Sequence, residues 1–152
     1  MEKMIAHQVE LMVFSTPEDD EAAICKNLLS LIPFDLEAEK LKVEKTNASG
    51  FSERRIVIMR LTLSKQHHIT PFLENLVRLL NQEQKELLLR QAESRLDENM
   101  YFFLRLDKAR LAEEAKCWLT DQGSCYHIKL SLAPFPKKRE RALELVRQLF
   151  GG

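Results

Sequence analysis

The sequence predicts an α+β fold: a mostly antiparallel sheet of about six strands with helices packed on one face. Three observations carry this. Apolar residues alternate with polar ones in several short segments, which is the period of a half-buried strand. Elsewhere they recur at helical spacing. The strands also come in runs rather than alternating one for one with helices. The order reads strand, helix, two strands, two helices, three strands, helix, and that excludes a doubly wound parallel sheet.

The first strand runs from His7 to Phe14, with His7, Val9, Leu11 and Val13 on one face. Ser15-Thr16-Pro17-Glu18-Asp19 then announces a helix, with Thr16 as cap and Pro17 at the first helical position. Ile24, Leu28, Leu31 and Ile32 are its buried stripe, and Pro33 stops it. Residues 36–46 fit either a strand through Leu41 and Val43 or a helix, and the strand is preferred. Asn47-Ala48-Ser49-Gly50 is a turn signal, and Arg55 to Ser64 returns as a strand, so residues 36–64 should form a hairpin.

Ile69-Thr70-Pro71 repeats the cap-plus-proline signal ahead of a stripe of Phe72, Leu73, Leu76, Leu79 and Leu80. Another helix is expected from Gln82 to about Ser94. Residues 99–106 form a strand with Met100, Phe102, Leu104 and Leu106 inward. Leu111 to Ala115 reads as a helical turn. Cys117 to Leu119 and Tyr126 to Leu132 flank the turn Asp121-Gln122-Gly123-Ser124, which suggests a second hairpin. Lys137 to Phe150 closes as a helix with Ala142, Leu145, Val146 and Leu149 inward.

Composition bounds the function. The 152 residues suit one domain, expected to span 1–152. Basic and acidic residues number 23 each, so any nucleic-acid site must come from local charge rather than net charge. Cys25, Cys117 and Cys125 form no CxxC pair and read as reduced thiols in a reducing compartment. Met1 to Phe14 carries Glu2, Lys3 and Glu10, unlike a secretory signal, and no run approaches the ~18 apolar residues of a membrane span.

Lys137-Lys138-Arg139-Glu140-Arg141 follows Pro134-Phe135-Pro136 where a helix should begin. Cations are disfavoured there, because the helix amino end already carries partial positive charge. A phosphate would relieve the conflict and take up the free amides. Arg105, Lys108 and Arg110 form a second basic group, and Arg54, Arg55 and Arg60 a third. Tyr101, Phe103 and Arg105 share the outward face of their strand, where they could stack bases. The competing reading is a second apolar layer, since Met12, Ile56 and Ile58 could lie on that face too.

Adjacent His67 and His68 have no carboxylate or thiol companion nearby in sequence, so no metal is assigned and a polar loop is expected. Asp97, Glu98 and Asp107 could be read as a magnesium or acid–base group. An extended segment would hold Asp97 and Asp107 roughly 30 Å apart, which argues against it. The chain carries no GxSxG, no HExxH and no Gly-rich phosphate loop. No cofactor and no catalytic residue are assigned.

Two segments carry a family resemblance. Arg95-Leu96-Asp97-Glu98 followed by Tyr101-Phe102-Phe103-Leu104-Arg105-Leu106-Asp107-Lys108 resembles one signature, and Ala133-Pro134-Phe135-Pro136-Lys137-Lys138-Arg139-Glu140-Arg141-Ala142 resembles another. Both are similar to an archaeal RNA-binding protein family also described as a predicted exosome subunit. That family is similar in fold to the ribosomal large-subunit protein that binds 5S RNA. The resemblance implies RNA binding, an archaeal cytoplasmic setting and no catalysis. It also places Arg105, Lys108 and Lys137 to Arg141 on motif positions. Where the family often has glycines, this chain has Asn99-Met100 and Ala109-Arg110-Leu111-Ala112, so the connector after Lys108 should differ in shape.

The expected function is a non-catalytic RNA-binding accessory factor in RNA processing or ribosome-related work. Lys137, Lys138, Arg139, Arg141, Arg105 and Lys108 are its expected RNA contacts, with an RNA-processing complex as partner and no membrane. The alternative is a protein-interaction module, such as a homodimer joined through the sheet face. A magnesium nuclease using Asp97, Glu98 or Asp107 is the third class.

Overall fold

The computed structural model describes residues 4–49, 55–121 and 123–151. Among these residues five strands form one antiparallel sheet: β1 (Ala6–Ser15), β2 (Glu44–Ser49), β3 (Arg55–Leu63), β4 (Tyr101–Asp107) and β5 (Cys125–Leu132). Their order is β2-β3-β1-β5-β4. The helices are α1 (Glu21–Leu29), α2 (Gln66–Leu79), α3 (Gln82–Arg90), α4 (Ala92–Arg95), α5 (Lys108–Glu114) and α6 (Arg139–Phe150). Among the described residues, no helix is long and apolar enough to cross a membrane. The α+β class and the antiparallel sheet agree with the sequence reading.

The strand alternation sets two faces. Val9, Leu11 and Val13 of β1, Phe102, Leu104 and Leu106 of β4, and Tyr126, Ile128 and Leu130 of β5 point inward and are buried. The apolar stripes of α1, α2 and α6 meet them, with Leu28, Phe72 and Phe150 at most 1% exposed. Burying each such side chain stabilises the fold by about 1.5–3 kcal/mol. The Phe102 and Phe150 rings lie 6.2 Å apart, joining β4 to α6. The Tyr126 hydroxyl donates to the Ile24 carbonyl, and burial pushes its pKa up to about 12.

Several local expectations are corrected. Asp20 caps α1 by accepting from the Ala23 amide, while Thr16 and Pro17 belong to a preceding turn closed on Asp19. The Thr16 backbone amide, with its hydroxyl and Lys108, lowers the Asp19 pKa against the opposing effect of burial. Helix α2 starts at Gln66 and holds Pro71 in its interior, so the histidine pair is helical rather than in a loop. Asn47 and Ala48 pair with Val57 and Ile56 inside the β2–β3 ladder, and the rest of that predicted turn, from Gly50, lies outside the described residues. The segment 117–119 does not pair with β5; Leu119 makes a single bridge to Leu106 of β4. Strand β5 instead lies between β1 and β4. Of the Asp121–Ser124 turn, Gln122 is outside the described residues and Gly123 has φ +78°. Met100 also takes a left-handed conformation, φ 66°, at one of the stretches where the resembling family carries glycine.

Candidate nucleic-acid interface

The outward positions of the sheet form rows across the strands. One row runs Glu44, Arg60, Met12, His127, Arg105, and the next runs Thr62, Glu10, Lys129, Phe103. These side chains are half-buried or exposed, in contrast to the closed inward face. Phe103 is 40% and Phe14 38% exposed. Tyr101 lies beside them, with the Lys129 ammonium 4.7 Å from its ring centroid. The His127 ring meets Phe14 edge-on at 6.0 Å. Burial lowers the His127 pKa, and the Arg105 and Lys108 charges lower it further. The face thus offers aromatic planes separated by cations, the surface that stacked bases and backbone phosphates require.

Strand β4 is an edge, and its edge is closed at both ends. The Asp97 amide donates to the Tyr101 carbonyl at one end, and the Thr120 amide donates to the Arg105 carbonyl at the other. Between them Arg95 reaches in from α4. Its guanidinium donates to Gln91 Oε1 and to the Phe103 carbonyl. Arg95 and Arg105 line a cavity of about 440 Å³ together with Phe103, Thr120 and Asp121. Burial lowers the Arg95 pKa; Asp121 opposes this and Arg105 adds to it. Sequence alone does not single out Arg95 beyond its motif, because nothing local shows that a residue of α4 flanks the middle of β4.

The cations singled out in the sequence fall into two kinds. Lys137 and Lys138 are exposed, and their side chains have no hydrogen bond or ion pair among the described residues. Lys138 occupies the cap position of α6 without a side-chain cap bond. Phe135, two residues earlier than Lys137, is 88% exposed. Arg105 is exposed and makes one long bond to the Asp121 carbonyl at 3.4 Å. The other three are tied into the fold. Arg139 donates to the Leu96 and Glu93 carbonyls, joining α6 to α4. Arg141 donates to the Phe135 carbonyl and pairs with Glu144. Lys108 donates to the Phe14 carbonyl and pairs with Asp19.

The two groups are not brought together. Arg139 bonds to Leu96, which bridges Phe102, so the start of α6 sits at the Tyr101 end of β4. Arg105 is four positions along, roughly 13 Å at strand rise, and Lys108 opens α5 beyond the far end. Of the third group, Arg54 lies outside the described residues. Arg55 donates to Asn47 and Arg60 pairs with Glu10.

Two of the three candidate carboxylates have structural occupations. Asp97 Oδ1 accepts from the Asn99 and Tyr101 amides, and Asp107 caps α5 through the Arg110 amide. They stand at opposite ends of β4. The three cysteines are free, and burial pushes the Cys117 thiol up to about 11.

A family model described as RNA binding matches residues 8–132. An RNA-binding protein of Pyrococcus abyssi is 25% identical over 150 residues, which is 99% of this chain and 97% of that one. The crystal structure of an Archaeoglobus fulgidus protein of the DUF54 family superposes with a TM-score of 0.82 at 28% identity, covering 95% of this chain and 99% of its own. A DUF54 protein of Methanothermobacter thermautotrophicus gives 0.76 at 25% identity, covering 96% and 98%.

Proposed function

The chain belongs to the RNA-binding family, and on that premise we propose that it holds single-stranded RNA across the outward face of its sheet. One observation carries this: Tyr101, Phe103 and Arg105 stand on a face left part-exposed, beside a cavity that holds Arg95 and Arg105 together. Both guanidiniums line that cavity, where the Asp121 carboxylate stands 3.9 Å from Arg95, and a backbone phosphate supplies a further anion for the pair. Phe103 beside it is a stacking plane for a base. Lys137, Lys138 and the uncapped start of α6 take further phosphates at the other end of β4. Arg139, Arg141 and Lys108 act with them as frame residues that set the position of the contacts.

We read the protein as a non-catalytic, cytoplasmic accessory factor in RNA processing or ribosome-related work, within a complex resembling the exosome. The Asp97 and Asp107 carboxylates are engaged in a turn and a cap at opposite ends of β4, which supports the non-catalytic reading. The second reading is self-association through the same face, favoured by the exposed Phe14 and Phe103 rings.

Fluorescence anisotropy with short single-stranded RNA tests the first reading. Arg95→Met/Arg105→Met should weaken binding about tenfold or more if each guanidinium contributes a charged hydrogen bond. Wild-type affinity in that double variant would refute the site. Sedimentation separates the second reading: a dimer indifferent to RNA would support it.

A further inference from the structure

We propose that Glu39, His67 and His68 form a binding site for a divalent transition metal of the zinc class. The site is independent of the RNA reading and lies on other elements. The three side chains each offer a ligand atom, and these atoms all lie within 4.8 Å of one another. Glu39 Oε1 is 3.0 Å from His68 Nε2 and 3.8 Å from His67 Nε2. Zinc bonds of ~2.0–2.1 Å in a tetrahedron space neighbouring ligands by about 3.3–3.4 Å. An ion therefore needs shifts of only a few tenths of an ångström in these two separations, and the two imidazole nitrogens, within 4.8 Å of each other, close by up to about 1.5 Å.

Adjacent residues on a helix point in different directions and do not ordinarily share a ligand. Here both rings swing toward one carboxylate, and their centroids are 4.1 Å apart. The carboxylate comes from 29 positions away. Asp35 to Lys40 makes a tight turn, with the Leu41 amide donating to the Leu36 carbonyl and Lys40 in a left-handed conformation. That turn sets Glu39 over the first turn of α2, which has no acidic residue and no side-chain cap of its own.

His68 is the fixed ligand. It is 3% exposed and packs on Phe34 at 5.2 Å between ring centroids. Its Nε2 is the nitrogen that faces Glu39, and its Nδ1 is buried with no hydrogen-bond partner among the described residues. Glu39 and His67 are exposed, which gives an ion access and leaves the remaining coordination to water. Two imidazoles and one carboxylate suit zinc, nickel or copper better than magnesium or calcium, which take oxygen ligands. A bound ion would fasten the 35–40 turn to α2 and raise the melting temperature by mass action.

The test uses the purified full chain stripped of metal, titrated with Zn²⁺ by calorimetry and with Co²⁺ by visible absorption. One equivalent should bind, and the melting temperature should rise with it. His67→Gln and Glu39→Gln alter exposed side chains, should remain folded, and should each weaken binding about tenfold or more. Absence of saturable uptake, or wild-type affinity in both variants, overturns the proposal. Uptake abolished by Cys25→Ser but unchanged by His67→Gln overturns it too, by assigning the ion to a thiol.

Discussion

The Lys108 ammonium donates to the Phe14 carbonyl at 2.6 Å, joining residues 94 positions apart. It thereby ties the end of β1 to the start of α5, and Asp19 stands 3.7 Å away as its counter-ion. Lys108→Met removes a charged hydrogen bond and should cost about 1.5–3 kcal/mol in urea unfolding. Its RNA affinity at low denaturant should stay within about twofold of wild type. A larger loss of affinity with unchanged stability would move Lys108 from the frame to the contact surface.

Phe103 is exposed enough that Phe103→Ala should leave the unfolding midpoint nearly unchanged. A stacked base contributes about 1–3 kcal/mol, so affinity for single-stranded RNA should fall roughly tenfold. Duplex RNA, whose bases are already stacked, should be indifferent to the change. Equal losses on both substrates would argue against stacking.

Lys137→Ala and Lys138→Ala remove ammoniums that make no internal bond among the described residues. Each should lower the slope of log affinity against log salt by about 0.7 for single-stranded RNA. Stability should not change, because both side chains are exposed and lose no partner among the described residues. A slope measured across a salt series, rather than one affinity, distinguishes lost phosphate contacts from altered folding.

His127 faces Arg105 across the β4–β5 ladder, and its pKa is lowered by burial and by the nearby cations. The folded state therefore resists protonation more than the unfolded chain does. Stability from this group is fully present above the unfolded value near 6.5 and declines as pH falls from there through the folded value. Histidine proton shifts should show that depressed titration. RNA phosphates on the face should raise it, so by linkage affinity should increase as pH falls through the same window. A His127 titration untouched by RNA would separate the nucleic acid from this face.

Ala115 ends α5 at φ 54°, exposed to solvent. A left-handed residue with a Cβ costs roughly 1–2 kcal/mol, whereas glycine adopts it freely. Ala115→Gly should raise the stability by about 1 kcal/mol after its greater unfolded freedom is subtracted. Thermal unfolding reads this directly, and no gain would mean the cap relaxes in solution.

Alternation made β1, β3, β4 and most of β5 legible, because one face of each is closed by helices and the other is not. Start signals misled where two candidates compete. Thr16-Pro17 looks like a helix start, yet Asp20 is the cap; Thr70-Pro71 looks like another, yet α2 has already run five residues before Pro71. The strand β2 was obscured because Glu44 to Ser49 has no apolar alternation and pairs on one side only. The site residues divide similarly. Clustered cations are visible in sequence, but whether a guanidinium is engaged depends on carbonyls over forty residues away, as with Arg139 and Leu96. Glu39 could not be linked to His68, since a turn and a hairpin intervene.

The position of β1 in the sheet has a consequence for how the chain is made. Its neighbours are β3 and β5, and its Ala6 pairs with Leu132. A growing polypeptide must expose one flank of β1 until β5, more than a hundred residues later, has left the ribosome. Such late closure slows folding and leaves an unpaired strand open to stray pairing. A ribosome stalled before β5 emerges should therefore carry a protease-sensitive, chaperone-bound nascent chain, and release past Leu132 should convert it to the resistant form.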